Sequence, residues 1–385
     1  VWRVVGVACA LVLFASVTVA DEAGGVLPCG QEPGKRFLWV ERAFCDVPVQ
    51  GPAGARGVII WNHGIHGTSE SWKTPAPPAF RLLQARGWDV VILKRHHLGE
   101  ASPGGPLQRT VERTLAEAAS LRRQGYRKIV LAGQSFGGHV TLEALDTPAS
   151  VFAAIVFAPG LRMVGGGEAP DLSATERLLE RARADRLVLV FPGDDTVFGS
   201  AIRGARAETI LARRDVPYLL VDETGGISGH AGGMTGRFAV TYGLCLADFL
   251  DAAVLPQGRF VCQPPPGEWP VVRELLLPRA DRRPTPVAAD RLPRGLSALA
   301  GLHWAFVNDS AVLLALVEDR GRLRLFYSST GFGARVLDVS VTNGVAVATL
   351  PNQATIRLSP GSITWTSADR TRTTTAVIRP APHDP

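Results

Sequence analysis

The sequence predicts a mostly parallel α/β domain followed by a small antiparallel β domain. Three observations carry that expectation. From about residue 57 to 253, short apolar runs alternate with helical segments, which is the pattern of a parallel sheet covered by helices on both faces. A proline-rich stretch, 263–294, then breaks the alternation. From residue 295 onward the pattern changes to brief β-type runs divided by turn residues, among them Asn343-Gly344, a strong two-residue hairpin signal.

The elements follow in order. Residues 37–49 hold two short strand-like runs, and 57–61 is a strand. Residues 79–86 form a helix stopped by Gly87, and 88–93 a strand. Residues 108–124 form a helix with Val111, Leu115, Ala118 and Leu121 at helical spacing, stopped by Gly125. Next come a strand at 127–132, a helix at 138–145, a strand at 152–157 and a helix near 173–184. A strand at 186–191, a helix at 202–214 and a strand at 216–221 precede the closing helix, 236–253. No insertion is large enough for a cap domain. Residues 160–170, with Gly165-Gly166-Gly167, read as a mobile rim loop or a plain linker. Beyond the prolines, the runs 312–317, 323–327, 336–341, 345–350, 355–358, 363–366 and 374–378 predict a meander of about seven strands, a small barrel or sandwich. Trp304, Phe326, Tyr327 and Trp365 either line a ligand face or fill the core of that domain.

The chemistry concentrates between the strand at 127–132 and the helix at 138–145. There Gly133-Gln134-Ser135-Phe136-Gly137 spells G-x-S-x-G. A serine on a sharp strand-to-helix turn is held in a strained backbone with its hydroxyl exposed, and the flanking glycines let the turn close. Such a serine needs a base within hydrogen-bond reach, and the base needs a carboxylate to hold its tautomer. Asp194 and Asp195 follow the strand at 186–191, and His230 lies in a glycine-rich loop after the strand at 216–221. The order Ser, acid, His and the placement of each after a strand complete the pattern. Asn62-His63-Gly64-Ile65-His66-Gly67 follows the first strand in the same way.

On these motifs the segment from about 35 to 252 resembles an α/β-hydrolase, similar to the dienelactone-hydrolase and esterase branch. The resemblance implies a catalytic triad of Ser135, Asp195 and His230. It also implies an oxyanion hole from the backbone N–H of Ile65 (or Gly64) and of Phe136. Asp195 is favoured over Asp194 as the acid, although adjacent aspartates leave the segment one residue short of the usual family spacing. The expected activity is hydrolysis of a small-molecule or polymeric carboxylic ester, without a cofactor. Amide hydrolysis, acyl transfer to an alcohol, or an idle fold that serves binding use the same residues or none of them. His96 and His97 are candidates for the rim of the site, and His139 for the interior. His63, His66, His96 and His97 have no carboxylate at ligand spacing, and H-E-x-x-H is absent, so no metal is expected.

The rest of the chain bounds the setting. Val1-Trp2-Arg3 and the apolar run 4–20, ending Thr18-Val19-Ala20, read as a secretory signal peptide over 1–20, the alternative being a retained anchor. The expected division is then a hydrolase domain over 21–262, a linker over 263–294 and a β domain over 295–380. Loss of the leader leaves Cys29, Cys45, Cys245 and Cys262, and export favours disulfides. The local pairs Cys29–Cys45 and Cys245–Cys262 bracket the hydrolase domain. The expected location is periplasmic or secreted, with envelope or glycan contact through the β domain. The 385 residues and 46% hydrophobic content allow a sizeable core, and the net charge of +6 is dispersed. Arg177, Arg181, Arg183 and Arg186 interleave with Glu176, Glu180 and Asp185, a solvated helix face rather than a nucleic-acid site.

Overall fold

The computed structural model describes residues 40–65, 74–94, 105–148, 150–161, 168–199, 201–263, 267–277, 283–331 and 333–382. The expected leader, Cys29, His66, His96, His97 and the glycine run 165–167 lie outside the described residues.

The first sheet contains β1 (Val40–Arg42), β2 (Gly57–Asn62), β3 (Trp88–Leu93), β4 (Ile129–Gln134), β5 (Ala153–Phe157), β6 (Leu187–Val190), β7 (Pro217–Val221) and β8 (Gly258–Arg259). Their spatial order is β1-β3-β2-β4-β5-β6-β7-β8. Every pair is parallel except β1 with β3. The apolar runs of the sequence form these strands because both faces are covered. Side chains alternate between two cores. Ile59, Trp61, Val130 and Phe157 point to the face covered by α2 (Ala79–Ala85), α7 (Gly236–Asp251) and α8 (Glu268–Leu276). Val58, Ile60, Leu131 and Val156 point to the face covered by α3 (Gly105–Arg123), α4 (Phe136–Leu145), α5 (Glu168–Arg181) and α6 (Arg203–Leu211). A further short helix, α1 (Gly51–Gly54), precedes β2. The expected strand pair at 37–49 reduces, among the described residues, to β1.

The second sheet is a meander. Its strands are β9 (His303–Val307), β10 (Ser310–Asp319), β11 (Arg322–Ser329), β12 (Gly333–Thr342), β13 (Val345–Thr349), β14 (Thr355–Ser359), β15 (Ser362–Thr366), β16 (Thr373–Val377) and β17 (Arg379–Pro380). All neighbours are antiparallel, and β17 returns to pair with β9, so the sheet is a nearly closed barrel. Three connections place two consecutive residues at positive φ: Asn308-Asp309, Arg320-Gly321 and Asn343-Gly344. These are the backbone requirements of type I′ hairpins, whose twist matches that of the flanking strands. The expected hairpin at Asn343-Gly344 is therefore present. The aromatic candidates are core: Trp304 and Phe326 join the core under the first sheet, while Tyr327 and Trp365 pack in the barrel interior.

Residues 263–294, expected as a semi-stiff linker, also hold a helix. Within them Trp269, Val271, Val272, Leu275 and Leu276 form the apolar face of α8, which packs in the core below the first sheet. Pro270 falls in the first turn of that helix, where a missing N–H costs nothing. Val287 N–H donates to Leu316 O at 2.8 Å, and Leu292 packs into the barrel interior. Apolar periodicity outweighs proline content here, because the prolines stand at a helix start and in the segments around it.

β10 joins the two halves. Leu313, Ala315 and Val317 face the first domain's core, and Val312, Leu314 and Leu316 face the barrel interior. Cys245 of α7 is disulfide-bonded to Cys262, with Cα atoms 5.4 Å apart. Cys45 is disulfide-bonded as well.

Candidate active site

β4 delivers Ser135 and α4 begins directly after it. Ser135 has φ 57 and ψ −123, a conformation an L residue holds only when its surroundings impose it. They do. Its N–H donates to Phe157 O at 3.0 Å, and its carbonyl accepts from His139 N at 3.0 Å and Gly160 N at 3.2 Å. The motif glycines have steric reasons. A Cβ on Gly133 would lie 2.1 Å from Gly137 O, and one on Gly137 would lie 2.0 Å from Asn62 O. The turn thus closes against the end of β2 as well as on itself.

The segment after β2 runs past the serine. A Cβ on Gly64 would lie 3.3 Å from Ser135 Cβ and 2.4 Å from Gln134 Oε1. His63 is fully buried, and its Nδ1–H donates to Gly64 O at 2.7 Å. A trans peptide sends its carbonyl and its N–H in opposite directions. Tying Gly64 O to the His63 ring therefore turns the Ile65 N–H away from that ring. Ile65 is half-buried, and Phe136 is buried at the start of α4.

The two aspartates separate clearly. Asp194 has φ 52 and is exposed, and its Oδ2 accepts from Ser228 Oγ at 3.0 Å. Asp195 is 5% exposed. Its Oδ1 accepts from Val197 N at 2.8 Å and Phe198 N at 3.2 Å, and its Oδ2 accepts from His230 Nδ1–H at 3.0 Å. Burial alone would raise the Asp195 pKa, but the hydrogen bond and charge of His230 and the two backbone N–H groups hold it below its ordinary value of 3.8. Asp195 therefore stays ionised beside the imidazole. The structure joins the acid to the histidine. Among the described residues no hydrogen bond joins the Ser135 hydroxyl to His230. The two loops meet instead through Gln134, whose Nε2 donates to His230 O at 3.3 Å.

Three further residues shape the site. The Phe198 ring stands edge-on to His230 with centroids 5.1 Å apart. Buried Arg203 donates to Phe198 O at 3.2 Å and to Pro159 O at 2.5 Å, pinning the acid loop to the loop after β5. Gln134 is the third. The sequence holds no local signal for Phe198 or Arg203, since their partners lie in other loops. His139, 1% exposed, is interior as expected. Among the described residues no cluster of three or more His, Cys, Asp or Glu is placed to hold a metal ion.

The parallel sheet, the strained strand-to-helix serine and the loop acid and histidine define an α/β-hydrolase-type fold. No family model and no curated protein matches the chain. Among solved structures it is similar to the Pyrococcus furiosus esterase Pf2001, at 15% identity, 52% of this chain and 84% of that one, TM-score 0.38. A putative aryl esterase from Burkholderia cenocepacia gives 18% identity, 55% and 93% coverage, and TM-score 0.38. A Mycobacterium tuberculosis puromycin-hydrolyzing peptidase gives 18% identity, 54% and 37% coverage, and TM-score 0.39.

Proposed function

We propose that the protein is an exported serine hydrolase that cleaves carboxylic esters, of the esterase and dienelactone-hydrolase kind. The observation that carries the reading is the half-buried Asp195–His230 hydrogen bond at 3.0 Å beside Ser135 at φ 57. In this reading His230 Nε2 takes the Ser135 proton as Oγ attacks the ester carbonyl. The tetrahedral oxyanion is held by the N–H groups of Ile65 and Phe136. It collapses with release of the alcohol, which takes the proton back from His230. Water, deprotonated by His230, then attacks the acyl-enzyme, and the carboxylate product leaves with Ser135 restored. Asp195 keeps the Nδ1 proton in place and stabilises the imidazolium. Esters are preferred over amides because an alkoxide is the better leaving group. Export is supported by the apolar start of the chain and by the Cys245–Cys262 disulfide.

The test is labelling of the mature protein by a fluorophosphonate probe, with Ser135→Ala beside it, followed by hydrolysis of p-nitrophenyl acetate and of the matching anilide. The expected result is labelling in the wild type, none in the variant, and turnover of the ester well above the anilide. A folded wild-type protein that takes no label refutes the reading. A faster anilide makes it an amidase, and ester exchange with added alcohol in preference to water makes it an acyltransferase.

A further inference from the structure

The barrel touches the first domain at the beginning of α7, six residues after His230. The contact is made by the β9–β10 turn, whose Asn308 and Asp309 both have positive φ. Asp309 O accepts from Arg237 N at 2.9 Å, and Asp309 Oδ1 accepts from Arg237 Nε at 2.8 Å. The Arg237 guanidinium lies over the Phe306 ring, 4.5 Å from its centroid. A Cβ on Gly236 would lie 2.5 Å from Ala311 N and 2.6 Å from Thr330 Oγ1. Helix and hairpin thus meet backbone to backbone, at a distance only glycine permits.

The first N–H groups of a helix have no partner within it. In α7 the Phe238 N–H is met by Thr235 Oγ1 at 3.1 Å, and the Arg237 N–H is met by the barrel. Between this helix start and His230 there is no slack. Thr235 Oγ1 donates to Gly232 O at 2.8 Å, Met234 N to Ala231 O at 2.8 Å, and Gly232 N to Gly229 O at 2.7 Å. Gly233 is pressed on Phe157, whose ring would stand 2.3 Å from an added Cβ. On the far side of His230, Gly229 N donates to Gly193 O at 2.6 Å. The histidine loop is therefore clamped at two ends, one by the acid loop and the other by a helix that the barrel caps.

We infer that Gly236 and Asp309 are positioning residues for His230, and that the C-terminal barrel sets the His230–Asp195 geometry by capping the start of α7. The consequence for catalysis rests on the function proposed above; the mechanical coupling does not. The test uses the full mature chain carrying Gly236→Ala. Alanine suits the first turn of a helix, so the substitution acts through the collision with the hairpin. Three readouts are taken: the rate of fluorophosphonate labelling, amide hydrogen exchange across residues 228–239, and the downfield proton resonance of the His230–Asp195 hydrogen bond. Labelling is expected to slow by about tenfold or more. Exchange over 228–235 should rise and the downfield resonance should shift or vanish, with exchange in β2 to β6 unchanged. Asp309→Gly, which keeps the left-handed turn and the carbonyl but removes the carboxylate, should act in the same direction more weakly, and Asp309→Asn should restore the wild-type rate. Faster exchange in the first turn of α7 with a wild-type labelling rate and an unmoved resonance overturns the inference. If Gly236→Ala does not fold, the Asp309 pair decides by the same readouts. If the wild type takes no label, the proposed function fails, and exchange over 228–235 still decides whether the barrel braces the loop.

Discussion

Asp195→Asn isolates the charge of the acid from its shape. In the wild type both backbone donors, Val197 N and Phe198 N, bond to Oδ1, while His230 Nδ1 lies 3.0 Å from Oδ2 and 3.2 Å from Oδ1. An asparagine that keeps both backbone bonds must place its carbonyl oxygen at Oδ1 and its NH₂ at Oδ2. The amide then holds the nearer position, 3.0 Å from Nδ1 against 3.2 Å for the carbonyl oxygen, and two N–H groups cannot face each other there, so the imidazole proton moves to Nε2. In that tautomer His230 presents a proton to the serine instead of a lone pair. The lost function corresponds to about 10⁴-fold in rate, or about 5.4 kcal/mol of transition-state stabilisation. Asp194→Asn is the matched control. Its side chain is exposed, touches Ser228, and stands at φ 52, which asparagine tolerates. Its effect should stay within about 0.5 kcal/mol. Both variants are assayed by the rate of fluorophosphonate labelling and by p-nitrophenyl acetate turnover, with melting curves to confirm folding. A folded Asp195→Asn protein that keeps more than a tenth of the wild-type rate refutes the reasoning, as does an inverted order of the two variants.

Other consequences can be measured on the same protein. Replacing both cysteines of the Cys245–Cys262 bridge by alanine reopens a loop of sequence separation 17; chain-entropy arguments give a loss of about 3 kcal/mol, read from denaturant midpoints. His63→Phe removes the donor to Gly64 O and frees the Gly64–Ile65 peptide to rotate. Labelling should then fall by about 10²-fold, the cost of one misaimed oxyanion donor, with a smaller change in melting temperature; an unchanged rate would take the oxyanion role from Ile65. Asp195 is held below its ordinary pKa of 3.8, so its stabilisation is full above that value and is lost as pH falls through the lower folded value. The gap in melting temperature between wild type and Asp195→Asn should therefore persist from neutral pH to about 3.8 and close below it. A gap that widens on acidification would contradict the sign.

Much of the candidate site is legible in the sequence because its signals are local. The G-x-S-x-G turn is a backbone requirement written into five consecutive residues, and both the acid and the histidine follow strands whose apolar runs are hard to miss. Asp194 and Asp195 are adjacent and alike in sequence, and only the backbone around them, with Asp194 at φ 52, shows which carboxylate meets His230. β9 is hard to read from the sequence because His303-Trp304-Ala305-Phe306-Val307 mixes a polar start with bulky aromatics. Prolines concealed α8, whose apolar residues show only when spaced as a helix. Arg203 and Gln134 bridge loops far apart in sequence, and no periodicity reports that. Ala311 to Val317 is apolar without alternation, the mark of a strand buried on both sides, and this run implies that the barrel is docked.

That doubly buried strand makes the C-terminal unit poorly exchangeable. A tethered module can be removed or swapped by cutting its tether. Here Leu313, Ala315 and Val317 complete the core beneath α7 and α8, so truncation before β9 would strip cover from apolar helix faces. The shortened protein should be prone to aggregation, and the intact chain should melt in one transition rather than two. Insertions within the proline-rich segment, which carries α8, should accordingly be poorly tolerated.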